Sequence, residues 1–317
     1  MYRRITLGVL VTQVVIVLTG AAVRLTGSGL GCSDWPRCEQ DRFVPSGDLN
    51  PIIEFVNRLV SFPVLVAVLL AVWGARHRVP VRRDLGIVAE LILAGVVVQV
   101  LLGAVVVRLE LLPSTVILHF LISMALLFGS VVLHHRAGAD LHAPSSGPAG
   151  WVPARSRPLV IPLVALATAV VVTGTVVTGA GPHGGDEHAA RLDVFLPTAA
   201  RVHSLTVWTF LAVLVVVLLA LRSERAPAPL LRTGTIVLAV SLAQGAVGYL
   251  QYWNGVPAGL VFAHIIGAMA VWGTTVWFWL EHRSAAGIAA AAAPPTTGTP
   301  SPTSDATSPT AHEGAPT

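Results

Sequence analysis

Eight long apolar stretches, separated by short polar segments, dominate the pattern of residues along the chain. Each approaches the roughly 20 mostly apolar residues that a helix needs to cross the hydrocarbon core of a bilayer. The stretches lie at about 6–24, 54–75, 86–107, 114–135, 158–179, 201–222, 233–252 and 259–280. This pattern predicts an all-α integral membrane protein with eight transmembrane helices.

The second half of the pattern repeats the first. The matches at a fixed offset of 145 residues are Gln99 with Gln244, Gly103 with Gly248, His119 with His264 and Met124 with Met269. Residues 26–29 also resemble residues 178–181, at an offset of 152, and residues 55–59 align with 201–205, which places Asn57 opposite His203. Since each half holds an even number of spans, both copies keep the same orientation. The repeat predicts two parallel-repeat four-helix bundles with cofactor sites between facing helices.

Composition supports a chain built for lipid. It is 54% hydrophobic and only 11% charged, against about 25% charged residues in a typical soluble domain. We divide the chain into an N-terminal half at 1–136, a cytoplasmic linker at 137–157, a C-terminal half at 158–282 and a tail at 283–317. The tail is rich in Ala, Pro, Thr and Ser and lacks an apolar period, which predicts disorder.

The positive charge indicates how the protein sits in its membrane. The twenty basic residues are all Arg, and they crowd the start of the chain and the connections between helices 2 and 3, 4 and 5, and 6 and 7. By the positive-inside rule these segments are cytoplasmic. We therefore expect a multi-pass plasma-membrane protein, surrounded by lipid, with both termini in the cytoplasm. The net charge of +4 then reports orientation and does not predict a nucleic-acid partner.

Both cysteines, Cys32 and Cys38, lie in the first outer connection. Compartments outside the cytoplasm are oxidising, so a pair at this spacing favours a disulfide over a metal site. Whether such a disulfide is structural or redox-active stays open.

Two histidines of the second half are placed to hold an iron. His203 lies at the outer end of helix 6 and His264 near the outer end of helix 8, at similar depth. Two imidazoles at matched depth on different helices suit the axial positions of one haem, whereas zinc would need further nitrogen or sulfur ligands. The alternative is two unrelated histidines bonded to nearby backbone carbonyls.

The first half offers a different set of groups at the same depth. His119 matches His264, but the position of the second ligand holds Asn57, and an amide is a poor haem ligand. One histidine would leave an open sixth position, which favours oxygen chemistry over electron transfer. Glu54 stands one helical turn before Asn57 on the same face, where it could relay protons or bind a polar group of the substrate. Alternatively, Glu54 is a first-turn acid favoured by the helix dipole or a partner for Arg58.

Arg24, Arg58, Arg108 and Arg201 lie at the outer rim, against the positive-inside bias. Guanidinium groups suit carboxylates such as haem propionates, and we take Arg58 and Arg201 as candidates for cofactor binding. Snorkelling to the interface explains Arg108 equally well.

Five segments of the chain resemble the haem A synthase family. They are residues 23–38, 54–58, 118–120, 201–203 and 264–268, and the resemblance extends over about 5–282. It implies an eight-helix oxidoreductase of cytochrome oxidase assembly, which oxidises a methyl group of haem O to the formyl group of haem A by successive hydroxylations. It also implies that His203 and His264 hold a haem b cofactor, and that the first half receives haem O as substrate with Glu54 essential for catalysis. Family members with the cysteine pair are thought to use it for redox or structural support.

The chain departs from the family at one position, since many members carry histidine where this chain has Asn57. We therefore predict that His119 alone ligates the iron of the substrate. The expected partners are a haem O synthase that supplies the substrate and an electron donor, either a quinol or a protein; self-association into a homo-oligomer is left open. Two other functions also stay open: a bis-haem membrane electron-transfer cytochrome and a haem transfer protein.

Overall fold

The computed structural model describes residues 1–45, 47–138, 151 and 153–292. Within these residues it contains eight α-helices and no strand. The helices are α1 (Tyr2–Leu25), α2 (Leu49–His77), α3 (Arg83–Arg108), α4 (Pro113–Gly138), α5 (Arg157–Ala180), α6 (Leu196–Ser223), α7 (Ala228–Trp253) and α8 (Ala258–Ala292). All eight are long and apolar enough to cross a membrane, which confirms the predicted all-helical membrane fold.

The helices run a few residues beyond the apolar stretches at most ends, and α8 runs furthest. It continues to Ala292, so the prediction that the disordered tail begins at 283 is wrong for residues 283–292. This segment lacks an apolar period but is rich in alanine, the residue with the highest helix propensity. The remainder of the predicted tail, 293–317, lies outside the described residues, as does most of the predicted linker, at 139–150 and 152.

The first outer connection begins with a turn that glycine makes possible. Helix α1 ends at Leu25, and Gly27 follows with a φ of 71°, in the left-handed region that glycine adopts without strain. The Ser28 N–H then donates to the Val23 carbonyl at 2.9 Å, a bond typical of a helix C-terminus closed by glycine. Gly179, which the sequence comparison matched to Gly27, instead lies inside α5.

Each half packs as a four-helix bundle in chain order. In the first half the neighbouring pairs are α1–α2, α2–α3, α3–α4 and α4–α1, and in the second they are α5–α6, α6–α7, α7–α8 and α8–α5. Helix α2 therefore stands diagonally opposite α4, and α6 stands diagonally opposite α8. This arrangement aims the inner faces of the diagonal pairs at one another across each bundle.

The two bundles are joined by a shared apolar core. Helix α4 contacts both α5 and α8, and α1 contacts α8. Met124 of α4 and Val17 of α1 belong to the same buried cluster as Phe210, Met269 and Trp272 of the second half. The Trp272 indole N–H donates to the Met124 carbonyl at 2.9 Å. The halves thus form one packed body.

At one end of the molecule, hereafter the disulfide end, lie the connections 26–48, 109–112, 181–195 and 254–257. Cys32 and Cys38 form a disulfide there, and both are almost completely buried. The two longer connections touch, because the Gly29 N–H donates to the Gly185 carbonyl at 2.7 Å. The opposite end carries most of the arginines.

Candidate haem-binding site

A cavity of about 1180 Å³ opens among the helices of both halves. It exceeds the roughly 300–1,000 Å³ of most small-molecule sites. Asn57, His119, His203 and His264 all line it, together with many Val, Leu, Ile and Gly side chains. Each of these four residues lies six to eight residues from the disulfide-end start of its helix, so all four sit at a similar depth, as the sequence predicts.

The two histidines of the second half face each other across their bundle. His203 on α6 and His264 on α8 have ring centroids 6.5 Å apart. A metal–imidazole bond is about 2 Å long and the ring centre lies about 1 Å beyond the nitrogen, so two trans ligands of one metal place their centroids about 6 Å apart. The observed separation therefore fits a haem between the rings. Among the described residues no cluster of three or more His, Cys, Asp and Glu could hold a bare metal ion.

Neighbouring helices contact both histidines of this pair, one at its ring and the other at its backbone. The His203 Nδ1 lies 3.1 Å from the Thr173 hydroxyl, and a Cβ added at Gly174 would stand 3.2 Å from the same ring. On α7, the Gln244 side chain donates to the His264 carbonyl at 2.7 Å. A hydrogen bond to the second ring nitrogen is the usual support of a metal-ligating histidine.

The first half repeats these contacts around Asn57 and His119. The Thr19 hydroxyl donates to the Asn57 Oδ1 at 2.7 Å, as Thr173 contacts His203. The Gln99 side chain donates to the His119 carbonyl at 2.9 Å, as Gln244 does to that of His264. What differs is the side chain offered to a ligand, an amide in the first half and an imidazole in the second.

Thr19 and Thr173 were not among the residues predicted from the sequence, although the sequence contains a signal for them. Each precedes a glycine, and the two Thr-Gly dipeptides stand at an offset of 154. Gly20 and Gly174 pack against Asn57 and His203 respectively. The match that we used for these helices, at 26–29 and 178–181, has an offset of 152 and so differs by two residues from the register of the contacts.

The histidines also pack closely against glycines on α3 and α7. A Cβ added at Gly103 would stand 3.7 Å from His119, and one at Gly248 would stand 3.1 Å from His264. The Nδ1 atoms of both histidines are buried and have no hydrogen-bond partner in the part of the chain that the structure describes. The close glycines allow each ring to approach its neighbouring helix.

Glu54 is buried at the cavity rim, only 4% exposed. Its Oε2 accepts from the Cys32 N–H at 2.8 Å. Its Oε1 accepts from Arg58, at 3.2 Å from Nε and 2.5 Å from a terminal nitrogen. The same arginine donates to the carbonyls of Asp34 and Arg37, both at 2.9 Å. The Glu54–Arg58 pair thus fastens the disulfide-bonded connection over the mouth of the first half.

The rim arginines divide into those that reach the cavity and one that does not. Arg24, Arg58 and Arg201 line it, whereas Arg108 is exposed away from it. Arg24 donates to the carbonyls of His183 at 2.6 Å and Thr178 at 2.7 Å, and so joins the two halves. Arg58 donates its hydrogen bonds to Glu54 and to carbonyls of the disulfide-bonded connection. Arg201 has no hydrogen bond or ion pair with any described residue, which leaves its guanidinium available to a ligand.

Comparison with known proteins gives two results. The chain matches the family model COX15-CtaA, described as cytochrome oxidase assembly protein, over residues 3–49 and 48–182. A segment of 71 residues is 39% identical to the protoheme IX farnesyltransferases of two strains of Thermus thermophilus. That segment is 22% of this chain and 12% of each relative, so the chain spans about an eighth of the length of these relatives.

Proposed function

The chain belongs to the COX15-CtaA family of cytochrome oxidase assembly proteins, the haem A synthase family, and we propose that it oxidises a methyl group of haem O to the formyl group of haem A. The conversion is a four-electron oxidation, taken as two successive hydroxylations and loss of water from the geminal diol. In each hydroxylation molecular oxygen is the oxidant: one oxygen atom enters the substrate, and two electrons and two protons reduce the other to water. One observation carries the proposal: two sites with the same supporting contacts differ in one candidate ligand. His203 faces His264, whereas Asn57 takes the matching position in the half that holds His119.

The second half is the cofactor site in this proposal. The ring separation of His203 and His264 supports these two residues as the ones that would hold the haem, and Thr173 orients the first of them. Arg201 lies at the mouth with free donors suited to a propionate. The haem b that these two histidines would hold would supply electron transfer.

The first half is the substrate site. His119 holds the iron of haem O from one side, and Asn57, whose Oδ1 is already bonded to Thr19, leaves the other side without a protein ligand. Glu54 lies at the rim of the same space, and its carboxylate keeps acceptor capacity beyond the bonds from Cys32 and Arg58. We assign Glu54 to proton transfer or to binding a polar group of the substrate. Arg58 then acts as the residue that positions Glu54, in place of the propionate contact predicted from the sequence.

The name of the relatives is consistent with haem O as the substrate. A protein named protoheme IX farnesyltransferase adds a farnesyl group to protohaem, and farnesylated protohaem is haem O. We propose that such an enzyme supplies the substrate, that a quinol or a protein supplies electrons, and that the protein lies in the plasma membrane with both termini in the cytoplasm. The matching contacts at Asn57 and His203, and at His119 and His264, support descent of the halves from one parallel repeat.

Replacement of single histidines tests the division of labour. His119→Ala should abolish haem A formation in cells that make haem O, while the purified protein keeps the haem b spectrum. His264→Ala, the matched variant of the second half, should lose the haem b spectrum. Chromatography of extracted haems and visible spectra of the purified proteins give both readings. Loss of the haem b spectrum in His119→Ala, with its retention in His264→Ala, would reverse the assignment.

The alternatives lead to different results in the same experiments. An electron-transfer cytochrome would contain haem b alone under all conditions, even in cells rich in haem O. A haem transfer protein needs no essential acid, so its output would be unchanged in Glu54→Gln. For a synthase we expect this variant to bind haem O and form little haem A.

A further inference from the structure

Helix α1 carries a buried amide in the middle of its length. Gln13 is only 2% exposed and lines the cavity. Its Nε2 has no hydrogen-bond partner within the described residues. A buried polar group without a partner is destabilising by about 1–3 kcal/mol, and lipid offers none. A donor left in this position is therefore explained best by a group that the cavity receives.

Gln13 lies at the deep end of the cavity face of α1. The residues of α1 that line the cavity at helical spacing run from Gln13 through Val17 and Gly20 to Arg24. At 1.5 Å per residue, Gln13 lies roughly 16 Å below Arg24. The cations line the mouth and apolar side chains line the interior, so the carboxylates of a haem stay near the mouth. The opposite edge of the macrocycle then points toward Gln13.

The second half lacks this amide. The Thr19–Asn57 and Thr173–His203 contacts set α1 and α5 in register at an offset of 154, which places Ala167 at the position of Gln13. Ala167 is 3% exposed and lines the same cavity. The deep amide of α1 thus lies in the half that we assign to haem O, and the matching position of α5, in the half that we assign to haem b, holds an alanine.

The two haems differ at the edge that lies deep. Haem O carries a hydroxyethylfarnesyl group where haem b carries a vinyl group, on the side of the macrocycle opposite the propionates. We propose that Gln13 hydrogen-bonds the hydroxyl of this substituent and thereby selects haem O over haem b in the first half. The proposal rests on the proposed function. Because a hydroxyl both donates and accepts, either end of the amide can make the bond.

The hydrogen bond predicts that the first half binds haem O more tightly than haem b. Haem O satisfies the amide, whereas haem b leaves it buried and unpaired, and sites that hydrogen-bond a hydroxyl reject analogues that lack it. Gln13→Met removes the amide and keeps the length of the side chain. We expect this variant to bind haem O about tenfold more weakly and haem b as well as, or better than, the wild type.

The measurement is a titration of the purified full-length protein whose His203–His264 site is already filled with haem b. Haem O and haem b are added separately, and their dissociation constants for the first half are read from difference spectra. Val17→Ala, one helical turn nearer the mouth on the same face, is the matched control and should weaken both haems alike. The haem b spectrum of the second half reports that each variant is folded, and Gln13→Leu replaces Gln13→Met if that spectrum is lost.

The outcomes distinguish a failure of the role proposed for Gln13 from a failure of the proposed synthase function. A wild-type protein that prefers haem O, with the same preference in the Gln13 variant, would overturn the role of Gln13 and leave the synthase intact. A wild-type protein that neither prefers haem O nor forms haem A would overturn both. A preference that falls about tenfold in Gln13→Met, but not in Val17→Ala, supports the role of Gln13.

Discussion

Asn57 and His203 receive the same support from their surroundings and offer different chemistry to a haem. A threonine one helix away bonds each side chain, at 2.7 Å for Asn57 and 3.1 Å for His203. A glycine next to that threonine leaves room for each. A single side chain therefore changes the expected ligation of iron while the scaffold around it is kept.

This makes Asn57→His an informative variant. The Thr19 hydroxyl lies where the Thr173 hydroxyl lies for His203, so an imidazole at 57 finds a partner for its second nitrogen. We expect the variant to bind a second haem between positions 57 and 119 with two histidine ligands. Electron paramagnetic resonance of the purified protein should then show two low-spin centres in place of one.

The threonine supplies the control for that variant. Adding Thr19→Val to Asn57→His removes the hydrogen bond behind the new ligand, and loss of such support typically weakens metal binding about 10–100-fold. We expect the dissociation constant of the second haem to be at least tenfold higher than in Asn57→His alone, so that its low-spin signal disappears at a smaller dilution. An unchanged spectrum in Asn57→His itself would show that the two positions do not face a common haem.

The sequence predicts the candidate ligands of the site better than the residues that support them. The repeat alone pairs His119 with His264 and Asn57 with His203, because their side chains are rare inside a membrane. Thr19 could not be singled out in the same way, since threonine hydroxyls in membrane helices commonly bond to their own helix, as Thr12 does. Gln13 was also missed, because its importance depends on a missing partner, which only tertiary packing reveals.

At the scale of elements, the disulfide-bonded connection at the cavity mouth is held in two ways. The Cys32–Cys38 bond closes a short loop, and Arg58 binds two carbonyls of that loop. The sequence predicts the disulfide and the neighbourhood of Glu54 and Arg58. It could not predict that Arg58 turns to the loop, because a loop without regular structure takes its conformation from the surfaces that it meets.

Removal of the disulfide should open this connection. In the chain-entropy model a loop of this length contributes about 2 kcal/mol. We expect Cys32→Ser with Cys38→Ser to raise the rate of tryptic cleavage after Arg37 and Arg42 by roughly 30-fold in detergent, if cleavage follows the opened loop. Mass spectrometry of the fragments identifies these cuts.

Arg58→Met with the disulfide intact provides the comparison for the cysteine variant. It removes the bonds to the loop carbonyls and keeps the covalent closure, so cleavage at Arg37 and Arg42 should rise by a smaller factor. Equal rates in the wild type and the double cysteine variant would mean that the disulfide does not secure the loop.

At the scale of the whole molecule, four of the six connections within the bundles are only four or five residues long, which keeps antiparallel neighbours side by side. The repeat predicts that there are two such bundles. How they meet could not be predicted, because the contact of α4 with α8 depends on details of packing such as the Trp272–Met124 hydrogen bond. With the two bundles in contact, both sites line one cavity. This shared cavity was not predicted from the sequence.

The arginines predict the orientation of this body in its membrane. Thirteen of the twenty lie at the end opposite the disulfide, and arginine-rich connections stay in the cytoplasm. Glu187, exposed at the disulfide end, and Ser223, exposed at the opposite end, serve as a matched pair of reporters. We expect a membrane-impermeant maleimide to label Glu187→Cys in intact cells and Ser223→Cys only after permeabilisation.

The two native cysteines do not interfere, because both are held in a disulfide. Replacing Glu187 leaves the arginine bias intact, and acidic residues contribute little to orientation. Labelling of Ser223→Cys in intact cells, with Glu187→Cys protected, would invert the topology. The cavity mouth and Glu54 would then face the cytoplasm, where reducing conditions do not favour the Cys32–Cys38 bond. The arginine distribution and the disulfide therefore both predict that the disulfide end faces away from the cytoplasm, and each of these predictions tests the other.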